Sequence, residues 1–191
     1  MFLDESGFML SPTVRRTYAP IGQTPILRRW DRHDRISAIS CVTVGPGRRR
    51  RLGLHFQLLP DDTNVTGDRM VEFLRDLRRQ LPCPMRIVWD RGNVHDRSRA
   101  VRAFLAKHPS IRTEQFPSYT PEANPDEGVW QHTKHGRLAN FTPEGTAELR
   151  AAVTAELTRL RRSPKLLASF LRHAGIPIRL PHSSRLLCWG Q

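Results

Sequence analysis

Apolar positions along the chain alternate between two periods. Met70, Leu74, Leu77 and Leu81 recur at i, i+4, i+7 and i+11, with Phe73 widening the stripe, which predicts an amphipathic helix over 68–81. Pro82-Cys83-Pro84 stops it. A second helix over 98–108 turns Val101, Phe104 and Leu105 inward and ends at Pro109. Thr142-Pro143-Glu144 opens a long helix with Leu149, Val153, Leu157 and Leu160 on one face, and Ser163-Pro164 opens another that reaches Ala174-Gly175. Between the helical stretches lie β-rich runs. Residues 36–44 and 52–59 read as two antiparallel strands joined by a turn, and 86–90 and 111–116 as short strands. The opening Met1-Phe2-Leu3 is a further strand, running straight into Asp4 and Glu5. Residues 11–29 contain Pro12, Pro20, Gly22 and Pro25, so they form an irregular excursion or a small hairpin. Strands followed by alternating helices and strands make an α/β pattern: a mixed central sheet flanked by helices, with extra C-terminal helices. The expected organisation is a core over 1–140 and a helical extension over 141–191 packed on the same domain.

Two of these strands end in an acid. Asp4 closes the first and Asp90 closes Arg86-Ile87-Val88-Trp89. A third acid follows the last strand through a loop that turns into a helix: Asn124 is a good N-cap, Pro125 takes the first helical position, and Glu127 stands three residues after the cap. Taken alone, this window fits a capping box, with Glu127 reaching back to the Asn124 N–H. The two aspartates change the balance. Polar sites of open α/β sheets collect outside the carboxyl ends of strands. Three carboxylates converging there repel one another unless cations neutralise them. Oxygen-only ligands suit Mg²⁺ or Mn²⁺, and two such ions can clamp the attacking and leaving oxygens of a displacement at phosphorus. Asp4, Asp90 and Glu127 are therefore expected to gather closely enough to share metal, with Asp4 and Asp90 on neighbouring strands.

Charge points the same way. Lys plus Arg number 31 against 18 acidic residues, a net charge of +13, which favours a polyanionic partner, nucleic acid before membrane. No stretch approaches the roughly 18 apolar residues of a membrane helix. The turn between the two antiparallel strands carries Arg48, Arg49, Arg50 and Arg51. These form either a solvated turn or a phosphate contact, and the run of four tilts toward DNA. Cys41, Cys83 and Cys188 are odd in number and lack CxxC spacing, which fits a reducing compartment and neither a zinc site nor a disulfide framework. Other polar groups carry weaker signals. Asp61-Asp62 reads as a turn, Asp126 as helix-start charge, and Glu5 points to the face opposite Asp4 if the strand continues. His132 and His135 read as surface or groove residues, and Arg159, Arg161, Arg162 and Lys165 as a basic face.

Leu3-Asp4-Glu5-Ser6-Gly7, Trp89-Asp90-Arg91-Gly92-Asn93-Val94-His95 and the run from Tyr119 to Trp130 resemble the three signature blocks of DDE transposases, in the bacterial insertion-sequence branch related to mariner-type elements. Gly22-Gln23-Thr24-Pro25 is similar to a block that follows the first aspartate there. The resemblance spans about residues 1–140 and is most specific in its third block. It implies a ribonuclease H-like fold and metal-dependent DNA cleavage and strand transfer, with two Mg²⁺ or Mn²⁺ ions. It places Asp4, Asp90 and Glu127 on the catalytic, metal-binding acids. His95 matches a position the family often fills with His, and Arg91 stands where many relatives have Asn. Both are set beside the arginine turn as expected DNA contacts. The implied partner is double-stranded DNA, both transposon ends and target, acted on by a nucleoid-associated cytoplasmic protein that forms a homodimer. No helix-turn-helix module precedes the first aspartate, so a truncated chain is expected, with an upstream helix-turn-helix partner from a split reading frame. The competing readings are an inactive, basic DNA-binding remnant and another ribonuclease H-like nuclease such as a junction resolvase.

Overall fold

The structure is a computed structural model and describes residues 1–27, 34–46, 51–92, 94–95, 97–117 and 120–178. Arg48, Arg49 and Arg50 lie outside the described residues, as do Cys188 and Tyr119.

Five strands form one sheet. In chain order they are β1 (Phe2–Met9), β2 (Arg35–Val44), β3 (Leu52–Leu58), β4 (Met85–Trp89) and β5 (Ile111–Gln115). Their spatial order is β3-β2-β1-β4-β5. The first three run as an antiparallel meander, while β4 and β5 join β1 in parallel. The mixed character follows from the connections. Short links suffice for antiparallel neighbours, whereas parallel neighbours need crossovers. Helices α1 (Gly67–Gln80) and α2 (Arg99–Ala106) supply them. Thr66 and Ser98 cap these helices through their side-chain oxygens, which accept from the N–H groups of Arg69 and Val101.

The sheet is buried on both faces. On one, Leu3, Ile39, Ile87 and Trp89 meet Met70, Phe73, Leu74 and Leu77 of α1 and Val101 and Phe104 of α2. On the other, Phe8, Ile36, Ala38, Val42 and Leu54 meet α3 (Pro125–His132), α4 (Thr146–Arg161) and α5 (Pro164–His173). Alternation along β1 sends Leu3 to the first face and Phe2 and Phe8 to the second. The long helix begins later than Thr142-Pro143-Glu144 implies. Gly145 is its N-cap, and Glu148 reaches back to accept from the Glu144 N–H at 2.7 Å. Gly128 lets α3 approach α5: a Cβ there would stand 3.0 Å from the Phe170 side chain.

The excursion after β1 is irregular, with no strands paired within it among the described residues. It is tied to the body where Thr13 bridges Ala139, and where Arg15 and Asn140 exchange hydrogen bonds of 2.8 and 2.9 Å.

Candidate active site

The parallel pairing of β1 and β4 sets Phe2 opposite Val88, so Asp4 on β1 and Asp90, just past the end of β4, lie on neighbouring strands of the sheet. The third acid arrives by a different route. After β5 the chain passes through a short 3₁₀ turn, Pro121–Ala123, and enters α3 at Pro125. Asp4, Asp90 and Glu127 line one cleft of about 420 Å³, together with Arg91, Gly92, Thr120 and Asn124. A larger cleft, about 700 Å³, lies among Arg75, Arg78, Arg79, Cys83 and His108. None of its lining residues is a carboxylate, so the acid chemistry belongs to the smaller one.

The capping box does not form. The Asn124 side chain accepts from the Asp126 N–H at 3.1 Å, while the Asn124 N–H donates to the Pro121 carbonyl at 3.0 Å. The group that a capping Glu127 would bind is already taken, and Glu127 faces the cleft.

The three acids differ in environment. Asp4 is 8% exposed, and its Oδ2 is buried with no hydrogen-bond partner. Burial first, then the negative charges of Glu127 and Glu5, push its carboxyl up to about 8. Asp90 is the opposite case, with its side chain 61% exposed. Its Oδ1 accepts from the Gly92 N–H at 2.8 Å and lies 2.9 Å from His95 Nδ1. As the side chains stand, no three His, Cys, Asp or Glu among the described residues gather tightly enough to hold one ion. The donor set nevertheless fits a hard divalent cation. It offers oxygens only, one of them desolvated and unpartnered, in a cleft where the acids repel one another.

His95 is buried, not at the surface where a DNA contact is expected. It is 1% exposed, its ring lies flat on Trp89 at 4.5 Å, and both ring nitrogens are used internally. Nε2 meets Glu5 Oε1 at 2.7 Å, and Nδ1 meets the Asp90 carbonyl at 3.1 Å as well as Oδ1. A neutral imidazole donates from one nitrogen only, and both here face acceptors. Burial alone would lower its pKa, but the Glu5 carboxylate and Asp90 outweigh burial and raise it.

Two further residues were not legible as site residues. Asp126 is fully buried instead of facing solvent at the helix start; Ser40 on β2 donates to its Oδ2 at 2.6 Å, and Oδ1 has no partner. Burial, then the charge of Asp4, raises its pKa well above the ordinary value. Lys134, in the π-helical turn Thr133–Arg137, donates to Ser6 at 2.6 Å. Burial lowers its pKa while the nearby charges of Glu127 and Asp4 pull the other way. No local pattern marks these residues. Arg51 is exposed, and its carbonyl accepts from the Gly45 N–H at 2.7 Å.

A model of one family, described as DDE superfamily endonuclease, matches residues 1–149. No curated protein sequence matches the chain. Among solved structures, the mariner Mos1 paired end complex with Mg aligns with a TM-score of 0.63 at 16% identity, over 91% of this chain and 52% of that one. The Mos1 strand transfer complex aligns with a TM-score of 0.62 at 19% identity, over 91% and 49%. The Mos1 transposase paired-end complex with left transposon end gives 0.58 at 18%, over 91% and 53%. The chain thus spans about half the length of these transposases. At such identities the likeness is one of fold, and the fold is ribonuclease H-like, with a mixed five-stranded sheet flanked by helices.

Proposed function

The chain belongs to the DDE superfamily endonucleases, and from that premise we propose that it is the catalytic domain of a transposase, in the bacterial insertion-sequence branch related to mariner elements. One observation carries the proposal: Asp4, Asp90 and Glu127 come from three separate elements to line one cleft. Asp4 and Asp90 would share two Mg²⁺ or Mn²⁺ ions, with Glu127 completing the second site. Two of the Mos1 structures are complexes with Mn and with Mg, which supports this choice. When bound, such ions neutralise charge on a phosphodiester and lower the pKa of a nucleophilic water.

The chain's own residues do the rest. Arg91 lines the cleft and Lys134 lies near Glu127 and Asp4, two basic side chains to meet phosphate oxygens. In the first step water attacks phosphorus at the end of the element, and the P–O bond to the 3′ oxygen breaks, freeing a 3′-hydroxyl. In the second that hydroxyl attacks a phosphodiester of the target, and the target's own 3′ oxygen leaves. Strand transfer joins two DNA segments, so the proposal includes pairing of two copies, a helix-turn-helix partner that reads the element's ends, and a nucleoid setting.

A second reading, a DNA-binding remnant without turnover, draws on the wide spacing of the acids, no three of which hold an ion as they stand among the described residues. Glu127→Gln separates the two. It keeps size and removes the charge. In the catalytic reading, Mg²⁺- or Mn²⁺-dependent nicking of plasmid DNA falls by orders of magnitude. The metal-induced rise in melting temperature, which follows RT ln(1 + [L]/Kd), shrinks with it. Equal nicking and equal shifts in the two proteins would take Glu127 out of the site. Wild type that neither nicks nor responds to metal would establish the remnant.

A further inference from the structure

Asp4 is held by burial, but Asp90 is not. The Asp90 side chain is mostly exposed, and its position depends on the loop that follows it. The loop folds back on the carboxylate. The Gly92 N–H donates to Oδ1, and the His95 N–H donates to the Gly92 carbonyl at 3.1 Å, closing a tight turn. A Cβ on Gly92 would stand 2.8 Å from Oδ1 and push the carboxylate from this position. His95 then presents Nδ1 to the same Oδ1 from the buried side. Its own ring is fixed twice, by the Trp89 face beneath it and by Glu5 Oε1 on Nε2. Adjacent residues of β1 thus serve opposite faces of the sheet: Asp4 lines the cleft, while Glu5 grips the ring that grips Asp90.

We infer that Glu5 and His95 are a positioning pair that commits Asp90 Oδ1 to the protein and leaves Oδ2 to meet a divalent cation. His95 acts through Asp90 and touches neither DNA nor the reacting atoms. The inference rests on the reading of Asp90 as a metal ligand. Hydrogen bonds from outer residues to ligating side chains typically contribute 10- to 100-fold in metal affinity. Without them, the freely rotating Asp90 carboxylate would have to be ordered by the ion itself.

Two amides divide the ring's two functions. In His95→Asn the side-chain NH₂ falls near the place of Nδ1 and can still donate to Asp90. In His95→Gln it falls near the place of Nε2, reaching Glu5 and missing Asp90. The experiment is a titration of the full chain with Mn²⁺ alone, following the metal-induced shift in melting temperature beside the metal-free melting temperature. His95→Gln should weaken Mn²⁺ binding about tenfold or more, and His95→Asn should recover most of that loss, although both lower metal-free melting by losing the Trp89 stack. A purely structural histidine would move metal-free melting and treat the two amides alike in Mn²⁺ affinity, and that result would overturn the inference. Glu5→Ala, at a part-exposed position, keeps the test open if the histidine variants do not fold. It should weaken Mn²⁺ binding several-fold, and an unchanged affinity would equally overturn the inference. A wild-type chain with no Mn²⁺ shift would instead remove the metal reading, and this pair with it.

Discussion

Asp4 carries the clearest thermodynamic consequence at the scale of single residues. Its carboxyl stands near 8 in the folded chain against an ordinary value of 3.8. Between those values the native state holds a proton that the unfolded chain releases. The stability linked to Asp4 is therefore fully present below about pH 4 and lost as pH rises toward 8. Every tenfold gain in proton affinity on folding is worth about 1.4 kcal/mol, so the total effect reaches several kcal/mol. Metal-free protein should melt at a higher temperature at pH 5 than at pH 8. Asp4→Asn should flatten that difference, and added Mg²⁺ should reduce it by compensating the ionised form. An Asp4→Asn profile parallel to wild type would mean that Asp4 is ordinarily ionised. Asp126 gives a second test. Asp126→Asn preserves an acceptor for the Ser40 hydroxyl and should be tolerated. Asp126→Leu leaves that buried hydroxyl unpaired, which costs about 1–3 kcal/mol. Equal melting of the two variants would show that the bond to Ser40 does not matter.

At the scale of elements, α3 is the part on which the site depends. It carries Glu127 into the cleft and Asp126 under the sheet, and Gly128 sets its distance from α5. The sequence marks the start of α3 well, since Asn124 and Pro125 sit where cap and first turn require them. It does not show that the Asn124 N–H is taken by Pro121, the detail that frees Glu127. Gly128→Val should force Phe170 aside and destabilise the fold by about 1–3 kcal/mol through overpacking. In a chain of this length each kcal/mol lowers melting by about 2–4 °C. Nicking should fall as well, since the displaced helix carries Glu127. Unchanged melting would mean that the α3–α5 contact is loose.

At the scale of the whole molecule, the net charge of +13 and the cleft together predict weak, sequence-tolerant, salt-sensitive DNA binding. Replacing Arg48, Arg49, Arg50 and Arg51 with Ala should flatten the plot of log affinity against log salt. Each lost phosphate contact should change the slope by about 0.9. An unchanged slope would return the run to a solvated turn. No helix among the described residues is long and apolar enough to cross a membrane, as the apolar runs imply.

The sequence by itself determined the strands, the principal helices and the three acids of the cleft. These are local signals: an apolar run that ends in Asp90, a cap and proline ahead of Glu127, a 3.6 period over α1. The parity of β1 also determined that Glu5 faces away from Asp4. Only the tertiary structure decided what these residues meet. His95 and Glu5 are 90 positions apart, Ser40 and Asp126 are 86, and Lys134 and Ser6 are 128. No period or cap links residues at such separations. A buried histidine and a DNA-facing one look alike in sequence, as do a solvated aspartate and one sealed beneath a sheet. The difference is desolvation, and desolvation is a property of the packed neighbours that folding brings around each group.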